Sequence, residues 1–293
     1  MSSYSKQVPV HAIKTKEMDA LGFGIINLLD NSGKVYNSAV PHRHTFYELL
    51  FFIQAKGNHE IDFSHYPVEN SSVHFVSPGQ IHRLSLKKKN GYVVCFAEDF
   101  ISLKSKERLI NVFPYFNNSN YPVLHLTKEL TVQLEELIQS IDFELNHSHA
   151  DSIEICRSYL NVILLKLKTY FTKTHDNIKS TPSEKSQKVN QYKALIDENY
   201  LTHKTVSDYA EDLSISPNHL NALCKKQEGK TATQLIQERT LLEAKRLLYA
   251  TDMHIKEISY NLHFEDVPYF NRFFKKQTKI TPNEYRQQFR KKR

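Results

Sequence analysis

The feature that most restricts the fold is a repeat near the end of the chain. Leu220, Leu223, Cys224, Lys225, Lys226 and Gln227 return 50 positions later as Phe270, Phe273, Phe274, Lys275, Lys276 and Gln277, so one helical unit occurs twice. Each copy carries the punctuation of two helices joined by a short turn. In the first copy Thr205 is placed to cap a helix with Asp208, and that helix would bury Val206, Tyr209, Ala210 and Leu213. Ser216 then caps a second helix with Pro217 at its first position, where a missing N–H costs nothing, and Gly229 suits the left-handed end. In the second copy Ile255, Ile258 and Leu262 mark the first helix, the turn falls at His263 and Phe264, and Asp266 caps the next, with Pro268 tolerated in its first turn. Thr281, Pro282, Asn283 and Glu284 spell one more capping box before a closing helix.

Both second helices place apolar residues on one side and leave another face open. That face holds Asn218, His219, Asn221, Ala222 and Lys225 in the first copy, and Val267, Tyr269, Asn271, Arg272 and Lys276 in the second. Asn matches adenine edges, Arg matches guanine edges, and Lys and the Tyr hydroxyl suit phosphates. Between the copies, residues 232–250 hold a helical period of Leu235, Ile236, Leu242, Ala244, Leu247 and Leu248. A helix of that length spans about 29 Å at the usual rise, close to the roughly 34 Å between successive major-groove faces of B-DNA. Charge agrees: residues 188–293 carry 19 Lys and Arg against 13 Asp and Glu, whereas residues 1–187 carry 20 against 19. The plainer alternative is a solvated basic face on a small helical domain.

The rest of the 293-residue chain has room for a second core. No apolar run approaches the roughly 18 residues of a membrane span, and Cys95, Cys156 and Cys224 lie far apart with no metal or disulfide spacing. A cytoplasmic protein without a membrane segment is expected. From about Leu21 to Phe100 short β-branched and aromatic runs alternate with the turn signals KGN, PGQ and KKNG, which predicts several strands. Residues 127–171 switch to a helical period, through Leu130, Leu134, Leu137, Ile141 and Leu145, then Ile153, Cys156, Leu160, Ile163, Leu164, Leu167 and Phe171. Those stripes fit burial against the protein's own sheet or a dimer seam. The polar stretch TKTHDNIKSTPSEKSQ, residues 172–187, reads as a linker.

Residues 188–293 resemble the DNA-binding domain of the AraC/XylS transcription regulators, above all in SPNHLNALCKKQEGKTATQLIQERTLLEAKRLL and EISYNLHFEDVPYFNRFFKKQTKITPNEYR. The resemblance implies two helix-turn-helix units bridged by a long helix. It puts the base-reading positions on Asn218, Asn221 and Ala222, and on Val267, Tyr269, Asn271 and Arg272. Where the family has glycine, this chain has His263 and Lys279, which then need left-handed backbone or a rearranged turn at a cost of about 1 kcal/mol each.

Upstream, PHRHTFYE sets His42, His44 and Glu48 at even offsets, on one face if the segment is a strand, and His82 follows a Pro-Gly turn. The two segments look like the motifs of a cupin barrel, where such residues can ligate a metal such as Zn, Fe, Mn or Ni. In the regulator family, however, the resemblance implies a sensing pocket. His42, His44, Glu48 and His82 are therefore assigned to an effector pocket, with no catalytic residue, metal or cofactor. His11, His59, His65, His74, His125, His147 and His149 show no ligand spacing.

The resulting expectation is an α+β chain of two domains. It comprises a cupin-like β-barrel over 1–126, a helical dimerisation segment over 127–171, a linker over 172–187 and an all-α domain of two helix-turn-helix units joined by a long helix over 188–293. The expected partners are double-stranded promoter DNA, a small-molecule effector such as a sugar, RNA polymerase and a second copy in a homodimer. Two competing readings are a metal-dependent cupin enzyme with a DNA-binding tail, and an architectural DNA-binding protein with a vestigial barrel.

Overall fold

The computed structural model describes residues 22–29, 39–101, 109–117, 121–147, 149–175 and 184–290. They fall into two compact units, one on each side of residues 176–183.

The N-terminal unit is built on two antiparallel sheets. Strands β1 (Phe23–Asn27), β2 (Tyr47–Phe52), β5 (Ser72–Val76), β7 (Gly91–Phe96) and β8 (Val123–His125) make one sheet in the order β1-β7-β2-β5-β8. Strands β3 (Lys56–Ile61), β4 (Ser64–Val68) and β6 (His82–Lys88) make the other, in the order β4-β3-β6. The described strands form these two sheets and not one closed barrel. Side chains alternate across a strand, so β2 sends Glu48, Leu50 and Phe52 to one face and Tyr47, Leu49 and Phe51 to the other. Leu50 and Phe52 join Ile61 and Val68 of the smaller sheet in one core, with Val76, Val93 and Cys95. At the bulge between Lys56 and Gly57 the strands approach so closely that a side chain at Gly57 would put its Cβ 2.1 Å from the Ser85 carbonyl oxygen.

The opposite face of the larger sheet is aromatic and meets helix α2 (Pro114–Asn117), which follows α1 (Leu109–Val112) and packs on α4 (Ser152–Thr174), with α3 (Lys128–His147) packed along α4. Phe75 stacks on Tyr115 with ring centroids 4.4 Å apart, Tyr47 and Phe96 meet the edge of Phe116, and the Tyr115 hydroxyl donates to the Leu164 carbonyl at 2.8 Å. The predicted stripe of α4 is buried through Cys156, Leu160, Ile163, Leu164, Leu167 and Phe171. On α3, Leu134, Ile138 and Ile141 are buried, while Leu130, Leu137 and Leu145 are only partly so. Much of the pattern therefore serves the unit's own core, and Val132, Phe143, Val162 and Leu165 remain exposed. Helix α4 extends to Thr174 and the next helix starts at Glu184, so the expected linker is helical at both ends, and residues 176–183 lie outside the described residues.

The C-terminal unit contains α5 (Glu184–Asn199), α6 (Val206–Asp212), α7 (Pro217–Glu228), α8 (Ala232–Ala250), α9 (Ile255–Asn261), α10 (Val267–Thr278) and α11 (Pro282–Arg290). The punctuation acts as its chemistry predicts. Thr205 and Asp208 form a capping box, the Ser216 and Asp266 side chains accept from the N–H of His219 and Tyr269, and Thr281 and Glu284 bond reciprocally. Gly229 ends α7 at φ 67°, and Lys279 ends α10 at φ 70°. His263 adopts φ 55°, matched in the first copy by Ser214 at φ 54°. The two turns differ by one residue, since two residues separate Leu213 from Ser216 and three separate Leu262 from Asp266.

Each copy fills its core differently. The first buries Leu220, Leu223 and Cys224 against Val189, Tyr192 and Ile196 of α5, together with Tyr209. The second has Phe270 and Phe274 at the repeated positions and closes them with Ile258, Leu262 and Tyr285. The larger side chains supply volume that α5 supplies in the first copy. Truncating either buried phenylalanine to alanine costs roughly 3–5 kcal/mol. Helix α8 serves both cores, and Lys204 ties them together by donating from Nζ to the carbonyls of Tyr200 and Leu262 at 2.8 and 3.1 Å.

Candidate functional site: nucleic-acid interface and buried histidine chamber

Helices α7 and α10 each turn an apolar face inward and leave the other face uncovered within this unit. Asn218, His219, Ala222 and Lys225 are exposed on α7, as are Tyr269, Arg272 and Lys276 on α10, whereas Asn221, Val267 and Asn271 are half-buried. Lysines 225, 226, 275 and 276 sit in the last turns, where cations suit the helix C-terminus and remain available to phosphate. Asn221 is diverted from the face: its Oδ1 accepts the backbone N–H of Ala232 at 2.9 Å, anchoring the start of α8. Fifty positions on, Ala232 becomes Pro282, which has no N–H to give, and Asn271 makes no side-chain hydrogen bond among the described residues. The two repeated asparagines thus have different duties.

A helix-turn-helix domain profile matches residues 209–288. Over 264 residues the chain is 24% identical to the HTH-type transcriptional regulator YfiF of Bacillus subtilis (strain 168), covering 86% of this chain and 79% of that protein. It is 33% identical over 85 residues to the arabinose operon regulatory protein of Salmonella typhimurium, covering 29% of this chain and 30% of that one. It is also 33% identical to the solved C-terminal domain of the two-component response regulator yesN from Fusobacterium nucleatum, covering 34% of this chain and 99% of that one with a TM-score of 0.33. Residues 209–288 carry a helix-turn-helix domain of the AraC type. Its relatives place it among regulators and not among enzymes. No described helix is long and apolar enough to cross a membrane.

The N-terminal unit holds a cluster of histidines between its two sheets. Residues 42–48 are not one strand, as the even spacing suggested: His42 makes an isolated antiparallel bridge to His82, a bend follows, and β2 begins only at Tyr47. The four residues nevertheless converge. His42 and His82 exchange backbone hydrogen bonds at 3.1 and 2.9 Å, and the Gly79 N–H of the Pro-Gly turn donates to the His44 carbonyl at 2.9 Å. Nε2 of His44 and Nε2 of His82 lie 3.5 and 3.6 Å from Oε2 of Glu48, all essentially fully buried. His42 stands beside them, its ring 4.2 Å from that of His82 and its Nδ1 2.9 Å from the Val40 carbonyl oxygen.

Two histidines that had no ligand spacing in the sequence join the cluster. His59 on β3 has Nε2 3.1 Å from Nδ1 of His82 and Nδ1 3.0 Å from Nδ1 of His74 on β5, so the chain of rings crosses from one sheet to the other. Burial, then the neighbouring His74, His42 and His44, hold His59 well below the usual histidine range. Burial, then His125, push His74 down to about 3. Both rings are neutral at ordinary pH. Cys95 on β7 donates from Sγ to Glu48 Oε1 at 3.5 Å. The signal available in the sequence was SVHFV: a histidine at the centre of an otherwise apolar, doubly covered strand requires a partner.

Proposed function

We propose that this protein is a sequence-specific transcription regulator that binds promoter DNA through α7 and α10 and responds to a small molecule taken up by the sheet-rich unit. The observation carrying this reading is the pair of repeated helices, each open on its polar face and both held by one bridging helix of about 29 Å. Within it, Asn218, His219, Ala222, Lys225, Val267, Tyr269, Asn271, Arg272 and Lys276 face the DNA. Asn221, the tenth position of the expected interface, supports that surface from behind.

The effector pocket is the chamber of His42, His44, Glu48 and His82 in a cupin-like double sheet over 1–126. A sugar is the effector class favoured by similarity to a protein named for the arabinose operon. The exposed Val132, Phe143, Val162 and Leu165 support a homodimer through residues 127–171, and residues 172–187 connect to a DNA-binding domain over 188–293. The regulator acts in the cytoplasm, and the effector shifts the population that binds the operator or engages RNA polymerase.

The test is binding of the full-length protein to fragmented genomic DNA of its source, with bound fragments sequenced. Enrichment of a few sites upstream of genes is expected. Uniform recovery at moderate salt, with and without candidate sugars, would leave the architectural reading in its place.

A further inference from the structure

The two helix-turn-helix copies leave a cavity at their junction. Its volume of about 370 Å³ falls in the range of small-ligand sites. The floor is buried and mostly apolar, formed by Ile236 and Thr240 of the bridging helix α8 and by Leu262 just after α9. The wall is aromatic: the Phe264 ring stands 5.2 Å from that of Phe273 and 5.8 Å from that of Tyr269, centroid to centroid. Leu223 is buried in the first copy, whereas its counterpart Phe273 is only half-buried and lines this cavity. The apolar surface that the first copy covers is therefore open to an occupant in the second.

One end of the cavity is cationic. Lys204, from the segment before α6, holds Nζ 3.1 Å from the Leu262 carbonyl oxygen and 2.8 Å from that of Tyr200. An ammonium has three donors, and both of these acceptors are neutral. Lys204 makes no ion pair among the described residues, and partial burial lowers its pKa. A cation with a donor to spare, beside an aromatic wall, complements a carboxylate carried on a flat apolar body. Glu265 stands with Thr233 and His263 at the exposed rim, where water and salt screen its charge.

We propose that this cavity binds a small aromatic carboxylate, with the carboxylate on Lys204 and the ring against Phe264 and Phe273. The site lies wholly within the C-terminal unit and is independent of the histidine chamber. Its occupant touches the first copy through Lys204, the bridging helix through Ile236 and Thr240, and α10 through Phe273 and Tyr269. Tyr269 is also one of the positions proposed to face DNA, so occupancy and operator binding are linked. A bound anion adds negative charge beside the phosphate-facing surface and holds the Tyr269 ring, which lowers operator affinity. The linkage rests on the DNA-binding reading, whereas the site does not.

The experiment titrates the full-length protein with naphthoate by calorimetry, with naphthylmethanol as the uncharged counterpart. Saturable uptake of naphthoate is expected, with the alcohol bound roughly 10-fold more weakly for want of one charge-assisted contact. Lys204→Met should erase that preference. Because Lys204 also ties the two cores together, a second variant leaves it in place: Thr233→Trp, at the exposed rim, should block the mouth and abolish uptake with melting unchanged. No uptake by the wild type at millimolar probe, or equal uptake of acid and alcohol, would overturn the site. So would undiminished uptake by Thr233→Trp, which would put the anion elsewhere in the chain. Operator affinity is then measured with and without naphthoate, and a loss of roughly fivefold is expected in the wild type and none in Thr233→Trp. A protein that binds both probe and operator with no change in operator affinity overturns the linkage and upholds the site. A protein that binds no operator counts against the DNA-binding reading, and the calorimetry still decides the site.

Discussion

Asn221 Oδ1 accepts the backbone N–H of Ala232 at 2.9 Å, and this one bond joins the first half of α7 to the first turn of α8. The early N–H groups of a helix lack intrahelical partners, so Asn221 supplies one acceptor and Thr231 supplies another to Gln234. The repeat offers a built-in control, because Pro282 occupies the position of Ala232 opposite Asn271.

The two asparagines should therefore respond oppositely to truncation. Asn221→Ala should lower the stability of the C-terminal unit by about 1 kcal/mol, with base preference unchanged at saturating protein. Asn271→Ala should leave melting alone and relax preference at one base position by about 1–3 kcal/mol. Thermal melting and binding-site selection on both variants test this, and the reverse pattern would sink the division of duties.

Arg272 and Lys276 are both exposed on α10 but have different expected roles. Arg272→Ala should cost about 1–3 kcal/mol and relax a single base position. Lys276→Ala should weaken all sequences alike and reduce the salt slope by about one contact. Affinities measured over a range of salt for the selected site and a mismatched one decide it. Indistinguishable effects would count against the assignment.

Lys279 ends α10 with φ at 70°, where a β-carbon is disfavoured. Lys279→Gly should raise the stability of the C-terminal unit by about 1 kcal/mol. A lower melting temperature would mean that contacts of the lysine side chain outweigh the backbone strain.

Beside His59, whose pKa is lowered in the same direction, His74 carries a share of the acid response of the N-terminal unit. Its folded value of about 3 lies below the ordinary 6.5, so below pH 6.5 the unfolded chain binds the proton more readily. Its contribution to stability is full above pH 6.5 and is lost as pH falls toward 3, amounting to about 2 kcal/mol by pH 5. Urea midpoints at pH 7 and pH 5 should separate for the wild type and separate less in His74→Phe, where His59 still responds. Equal pH dependence in both proteins would rule His74 out as the source.

What the sequence determined by itself is local. Capping hydroxyls and carboxylates act within three residues, and a left-handed helix end at glycine needs only one residue, so Thr205, Ser216, Gly229 and Asp266 were all legible. The bridging helix has the bounds its period implied, Ala232–Ala250. What only the tertiary structure decided depends on partners distant in the chain. His59, His74 and His82 meet across two sheets, and Asn221 turns inward because Ala232 presents an unpaired N–H 11 residues away. The strand expected at residues 42–48 is a bridge and a bend, yet it still delivers His44 to Glu48, because the Pro-Gly turn and the His42–His82 bridge hold it from outside the segment. Spacing along a chain reports periodicity, whereas convergence is set by which faces must be buried together.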